Sequence, residues 1–457
     1  MKKFLFFLIF PFILAACAPF QDNTPESHSF FAMGTYMKIT AYGKNSETVF
    51  LHVEKEIRRL DTLLSAENPD SEISRLSKEG KLILSEDTAR LISLAESWNR
   101  STGGTFDISL APLSKLWGFP HGPYRVPMET ERAEALGKTG MKYISHNEET
   151  GEYFLKKGCA LDLGGMAKGT AAEKAADILN AAGIKNALID LGGNIKVIGT
   201  KPGGRPWHIA LRHPDDTDKT AGTLSVSDTS IVTSGDYERY FIENDRRYHH
   251  IFDPHTGKPA QNGLRAVTVI CKDSEKADIL STALFVMGEK KAALFWKEHR
   301  GEFQMILFRN DNTLMITPDL QKIFTSELPV VLIPCQAMIK KDLYLITCIL
   351  LAAALLFIGN KTLMHDAGSV TATVDGAPYG SWPLDKNDTI RICTPYGQNE
   401  FTIKNGTVRM TAADCPHKDC LRQGAIHTAD SAIICLPHHL VIEIQSAADK
   451  KIDGTVR

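Results

Sequence analysis

The 457-residue chain lacks a dominant charge: 52 lysines and arginines stand against 54 aspartates and glutamates, a formal net charge of −2. That balance excludes the global basic field that draws proteins onto nucleic acid. Cysteine is scarce where a disulfide framework would need it. Of nine cysteines, only Cys159 and Cys271 fall between residues 18 and 320. They lie far apart, each beside apolar residues, and read as buried free thiols. Internal repeats are lacking as well, so no repeat architecture is expected. What is present is ordinary for a globular protein with a sizeable core, 43% hydrophobic and 23% charged residues. The length suits about three domains.

The N-terminus is a targeting segment. Lys2 and Lys3 precede the apolar run Phe4 to Leu14 and then Leu14-Ala15-Ala16-Cys17, which reads as a signal peptide over residues 1–17 with a small-residue cleavage site. It resembles a bacterial lipoprotein signal, which implies lipidation of Cys17. Residues 18–28 are polar and proline-bearing and read as a tether. Leu343 to Gly359 carries no charge over 17 residues, the short end of a transmembrane helix. Lys340 and Lys341 precede it and Lys361 follows, so the positive-inside rule opposes a single span with the preceding region outside. Leu328 to Ile339 is apolar but too short to span. As a re-entrant partner it would return both flanking regions to the outside, the arrangement expected here.

Between these segments helices and strands mix. Val49, Val53, Ile57, Leu60 and Leu64 recur at helical spacing. Lys168 to Ala182 is alanine-rich and stops at Gly183, a helix C-terminal signal. Ala187 to Leu191 reads as a strand ending in the turn Gly192-Gly193-Asn194. Leu264 to Cys271 alternates like a strand, and Ser274 opens a helix to about Met287. Phe303–Phe308 and Leu314–Ile316 flank Asn310-Asp311-Asn312 as a hairpin. From about Ser369 to Gln445, short alternating stretches separated by turn residues predict a small all-β domain.

Four constellations could carry chemistry. In Leu161 to Thr170, LDLGGMAKGT, a strand delivers Asp162 and a glycine pair opens a helix whose first turn holds Lys168. Backbone amides there favour a phosphate or carboxylate. On a helix, Asp278, Ser281 and Thr282 share one face and present one carboxylate and two hydroxyls, hard oxygens of the kind magnesium takes; hydroxyls back-bonded to their own helix are the alternative. In Tyr248-His249-His250-Ile251-Phe252-Asp253-Pro254, two adjacent histidines point to opposite faces of a strand, so one alone can face a site. Thr102-Gly103-Gly104-Thr105-Phe106-Asp107 places a glycine pair before an aromatic and a carboxylate, suited to backbone contact with a flat ligand and equally to any loop.

In this order, these segments resemble the FAD:protein FMN transferase family, the ApbE-like lipoproteins. The matching stretches are FAMGT (Phe31 to Thr35), TGGTFD (Thr102 to Asp107), LWGF (Leu116 to Phe119), LDLGGMAKG (Leu161 to Gly169), LGGN (Leu191 to Asn194), TSGDYERYF (Thr233 to Phe241), RYHHIFDPHTG (Arg247 to Gly257) and ADILSTALFVMG (Ala277 to Gly288). Together they span nearly all of residues 30–320. The resemblance implies an α+β, T-fold-like transferase domain that moves FMN from FAD to a Thr or Ser hydroxyl of a target protein, releasing AMP. It implies FAD contacts from Met33, Thr105, Phe106, Asp107, Asp162, Lys168, His250 and Ile251. Mg2+ would be held by the Gly165 carbonyl, Asp278, Ser281 and Thr282, with His250 and Asp278 as catalytic residues. The family often has alanine where Gly165 stands, which is immaterial for a carbonyl ligand. The implied partners are FAD, acceptor flavoproteins of extracytoplasmic redox systems and the membrane, with no nucleic acid. The implied place is the bacterial cell membrane, the transferase domain lipid-anchored outside. A flavin-binding lipoprotein without transferase activity is the competing reading.

Residues 366–450 resemble NusG domain II through CPHKDC (Cys415 to Cys420), LRQGAI and ICLPHHLVIEI (Ile434 to Ile444). Cys415-Pro-His417 and Cys435-Leu-Pro-His438 also have the C-x-H and C-x-x-H spacing of a Rieske [2Fe–2S] cluster, which would make this an electron-transfer module, although no glycine-rich turn follows. A Cys415–Cys420 disulfide in an oxidising compartment is the alternative.

Overall fold

The computed structural model describes residues 24–43, 46–119, 121–216, 218–334, 367–428, 431–446 and 454–456. The signal segment with Cys17, and Leu343 to Gly359, lie outside the described residues. Among the described residues, no helix is long and apolar enough to cross a membrane.

A nine-stranded sheet organises the larger domain, in the order Glu26–Ala32, Thr35–Ala41, Ala187–Asp190, Asn194–Ile198, Thr229–Gly235, Leu264–Cys271, Gln304–Arg309, Leu314–Ile316 and Val330–Leu332. Every pairing is antiparallel except the last. Two expectations fail at the ends. The strand Glu26–Ala32 begins inside the stretch 18–28 read as a tether, because its backbone pairs residue by residue with Thr35–Ala41. Val330–Leu332, part of the segment read as a re-entrant membrane partner, instead extends the sheet beside Leu314–Ile316, and Ile333 is fully buried.

The helices are α1 Ser46–Leu64, α2 Glu72–Glu79, α3 Glu86–Ser101, α4 Ala111–Leu116, α5 Glu129–Leu136, α6 Ala167–Ala181 and α7 Ser274–Glu298. In α1 the spaced apolar residues Val53, Ile57, Leu60 and Leu64 are buried. They join Met37 and Ile39 of the sheet and the alanines of α6 in one core cluster. Along Leu264–Cys271 the period of two assigns Val267 and Val269 to the α7 side. Ala266 and Ile270 go to the opposite side, against Trp207, Ile209 and Leu224 of a second, four-stranded sheet.

The contact of α6 with α7 depends on small residues. A Cβ on Gly169 would stand 2.4 Å from the Ser274 carbonyl oxygen and 2.8 Å from Asp278 Cβ. Gly169→Ala is therefore expected to destabilise the domain by roughly 1–3 kcal/mol through overpacking, measurable by thermal or chemical unfolding. Helix α7 is broken at Gly288 (φ 72°, ψ 169°), which explains why the sequence pattern stopped at Met287. There Asn262 Nδ2 donates to the Phe285 carbonyl at 2.5 Å and closes the first segment.

Residues 367–428 and 431–446 form two four-stranded antiparallel sheets around Phe401, Ile392, Ile433 and Ile442, the all-β domain expected. This domain touches the larger one: Phe31 stacks on His439 with ring centroids 5.3 Å apart, and His427 Nδ1 lies 3.4 Å from Asp218 Oδ2.

Candidate active site

Three sequence segments far apart in the chain converge where α6 begins. The first is the face of α7. Asp278 is 4% exposed, and its Oδ2 accepts the Gly169 N–H at 2.8 Å. Burial pushes this carboxyl up to about 6, opposed by the Lys168 ammonium and by that N–H. Keeping a carboxylate here is costly unless a cation compensates it. One turn on, the Ser281 hydroxyl donates to the Asp278 carbonyl at 2.8 Å. That is the back-bond considered from the sequence, and it leaves the Ser281 oxygen to act as an acceptor.

The second segment is the strand Thr229–Gly235. The Ser234 hydroxyl lies 2.8 Å from that of Ser281 and 3.1 Å from that of Thr282. Within the motif TSGDYERYF nothing local singles out Ser234. The strand order that brings it against α7 is not readable from the sequence.

The third is the glycine turn before α6. A Cβ on Gly165 would stand 3.6 Å from Thr282 Oγ1 and 3.3 Å from Phe106 Cε2. Gly165 and Thr282, two of the residues inferred for the metal, are thus neighbours, and Thr282 shares a helix turn with the other two, Asp278 and Ser281. One carboxylate, two hydroxyls and a carbonyl fit a magnesium ion that retains waters or phosphate oxygens.

The flavin-site candidates surround this centre unevenly. Phe106 is buried against Gly165 and tied to the end of α3, its carbonyl accepting from Asn99 Nδ2 at 2.7 Å. Thr105 Oγ1 donates to the Thr102 carbonyl. One oxygen of Asp107 is occupied by the Ser109 N–H and hydroxyl at 2.7 and 2.6 Å, and burial raises this carboxyl above its ordinary value. Asp162 Oδ1 accepts the Gly164 N–H at 2.8 Å. Met33, with φ 49°, forms the tight turn between the first two strands and donates its N–H to Asp61 Oδ2. The side chain of Ile251 is buried in the core cluster that includes α7.

The paired histidines divide as expected. His249 is buried, its Nε2 3.0 Å from the Ala260 carbonyl and its ring edge-on to Phe285. His250 is half-buried and places Nδ1 3.1 Å from the Arg239 carbonyl. A carbonyl only accepts, so Nδ1 carries the hydrogen and Nε2 keeps its lone pair. Burial first, then the charge of Arg239, with His249 and Lys168 adding to it, holds this imidazole well below the usual histidine range. Lys168 therefore acts on both Asp278 and His250.

The motif LGGN serves packing. A Cβ on Gly192 would stand 2.2 Å from Thr35 Oγ1, so two of the recognised stretches, FAMGT and LGGN, meet.

In the C-terminal domain the Rieske ligand set is not assembled. His417 is exposed. Both ring nitrogens of buried His438 face acceptors, Asn399 Oδ1 at 2.6 Å and Asp414 Oδ1 at 3.2 Å. Cys420, not a histidine, joins Cys415 and Cys435. Cys415 and Cys420 stand as free thiols, their sulfurs 3.7 Å apart. Cys159 and Cys271 are buried free thiols, as expected.

The profile of the ApbE family matches residues 33–307. The chain belongs to the ApbE family. The profile of NusG domain II matches residues 345–448. Among curated proteins, the FAD:protein FMN transferase of Klebsiella pneumoniae is 31% identical over 303 residues, 65% of this chain and 94% of that protein. That of Treponema pallidum is 31% identical over 308 residues, covering 62% and 84%. Among solved structures, the ApbE protein of Thermotoga maritima superposes with a TM-score of 0.62 at 31% identity over 66% of this chain and 99% of that one. The apo flavinyl transferase ApbE of Pseudomonas stutzeri gives 0.57 at 27% identity, covering 67% and 95%. The ApbE fold is thus the mixed α/β domain described above.

Proposed function

We propose that this chain transfers FMN from FAD to a Thr or Ser hydroxyl of a target protein, releasing AMP. The observation that carries the reading is the convergence of Asp278, Ser281, Thr282 and Gly165 beside Lys168 and His250, in a chain whose relatives are named for this reaction. The acceptor oxygen bonds to the phosphorus on the riboflavin side of FAD. The anhydride P–O bond breaks, and AMP carries away its electron pair. The hydroxyl proton passes to His250 Nε2, whose lone pair is available because Nδ1–H is tied to the Arg239 carbonyl. Lys168 places a positive charge at the phosphates. Magnesium, held by Asp278, Ser281, Thr282 and the Gly165 carbonyl, would neutralise pyrophosphate charge. Ser234 orients the two hydroxyls. Ser234→Ala is expected to weaken apparent magnesium affinity by about 10–100-fold, the usual effect of losing a partner of metal ligands, read from the magnesium dependence of the rate.

The same proposal places the protein at the outer face of a bacterial membrane, lipidated at Cys17, with acceptor flavoproteins of extracytoplasmic redox systems. Contacts between the two domains (Phe31 with His439, Asp218 with His427) support a common side, since a bilayer core of about 30 Å would part them.

The test is a transfer assay with full-length protein, FAD, magnesium and an acceptor lacking its flavin. Flavin fluorescence that survives denaturation, with the matching mass increase on the acceptor, is the expected result. FAD binding with every acceptor unmodified would favour the flavin-holding reading instead.

A further inference from the structure

The C-terminal domain buries three cysteines that the transfer chemistry does not use. Cys415, Cys420 and Cys435 are 2%, 1% and 1% exposed, and their sulfurs all lie within 4.8 Å of one another. The 3.7 Å between Cys415 and Cys420 is close to the edge of a polyhedron with metal–sulfur bonds of about 2.3 Å. We propose that Cys415, Cys420 and Cys435 form a three-thiolate binding site for a soft d10 metal ion of the copper(I)–zinc class.

Three observations beyond the thiols support it. The surroundings donate to sulfur: Asn399, 1% exposed, turns its Nδ2 to Cys420 Sγ at 3.9 Å, and the backbone N–H groups of Lys418 and His438 face Cys415 and Cys435. N–H donors stabilise thiolate, not thiol.

The chain is also bent to make the arrangement. Lys418 and His439, neither of them glycine, have φ of 53° and 51°, and each closes the turn that follows a cysteine of the set. Such conformations persist where surrounding structure enforces them.

Among the described residues, no imidazole belongs to the cluster. His438 is fixed between Asn399 and Asp414, and a Cβ on Gly397 would stand 2.4 Å from its Nε2. Three thiolates without a histidine select soft ions over magnesium or calcium.

The experiment uses the full-length chain, reduced and kept anaerobic, titrated separately with copper(I) and zinc and followed by elemental analysis and thiolate-to-metal charge-transfer absorption. Stoichiometric binding of either ion is expected. It should be lost in Cys420→Ser and kept in Cys393→Ser, whose cysteine is exposed. Because Cys420→Ser could fail to fold, the wild-type midpoint of thermal unfolding is measured with and without metal, and it should rise on binding. Failure of the reduced chain to bind either ion would overturn the proposal. So would a native Cys415–Cys420 disulfide that accounts for those thiols in protein isolated without reductant.

Discussion

Asp278→Asn is expected to lower FMN transfer by on the order of 10²–10³-fold, while FAD binding falls far less. The substitution keeps shape and one oxygen able to accept the Gly169 N–H, so the α6–α7 contact survives. What disappears is the negative charge. In the folded protein that charge is held against desolvation, with Lys168 and one N–H offsetting part of the cost. Removing it should leave the unfolding midpoint unchanged or raise it, because a buried carboxyl pushed up to about 6 disfavours the folded state once ionised. A purely structural aspartate would give the reverse, lost stability with transfer preserved. Paired rate and stability measurements decide between the two, and undiminished transfer would sink the metal assignment.

His250→Ala is expected to slow transfer by about 10²–10⁴-fold, the range for losing a positioned general base. The pH dependence is the sharper readout. In the wild type the imidazole is held well below the histidine range by burial, with Arg239, His249 and Lys168 adding to the effect. Its neutral, proton-accepting form therefore persists into mildly acidic solution. The acid limb of the single-turnover rate should lie below the ordinary histidine value of about 6.5, and it should vanish in the variant. Variant and wild type sharing one acid limb would exclude His250 as the base. Magnesium is kept saturating in both, so that the titration of Asp278 does not intrude.

Much of this site was legible because its residues sit at fixed local spacing. Asp278, Ser281 and Thr282 share a helix face by geometry alone, and alternation along a strand sends His249 inward when His250 faces out. The glycine turn before Lys168 also announces a helix start. The roles of Ser234, Gly169 and Arg239 had no such signature. Ser234 meets α7 only because Thr229–Gly235 lies beside Leu264–Cys271 in the sheet. Gly169 is required by two helices 109 residues apart at their contact, and the Arg239 carbonyl fixes the His250 tautomer across a hairpin. The Rieske reading failed for the same reason, since spacing cannot tell which side chain a turn buries. His417 points to solvent and Cys420 takes the third place.

The sequence by itself determined most of the interior elements, the family and the residue types the chemistry needs, since propensity, periodicity and turn chemistry act over a few residues. The tertiary structure alone decided which of those groups share a site, which glycines admit close contact, and which cysteines converge. Those outcomes depend on strand order and helix packing, set by burial across the whole chain.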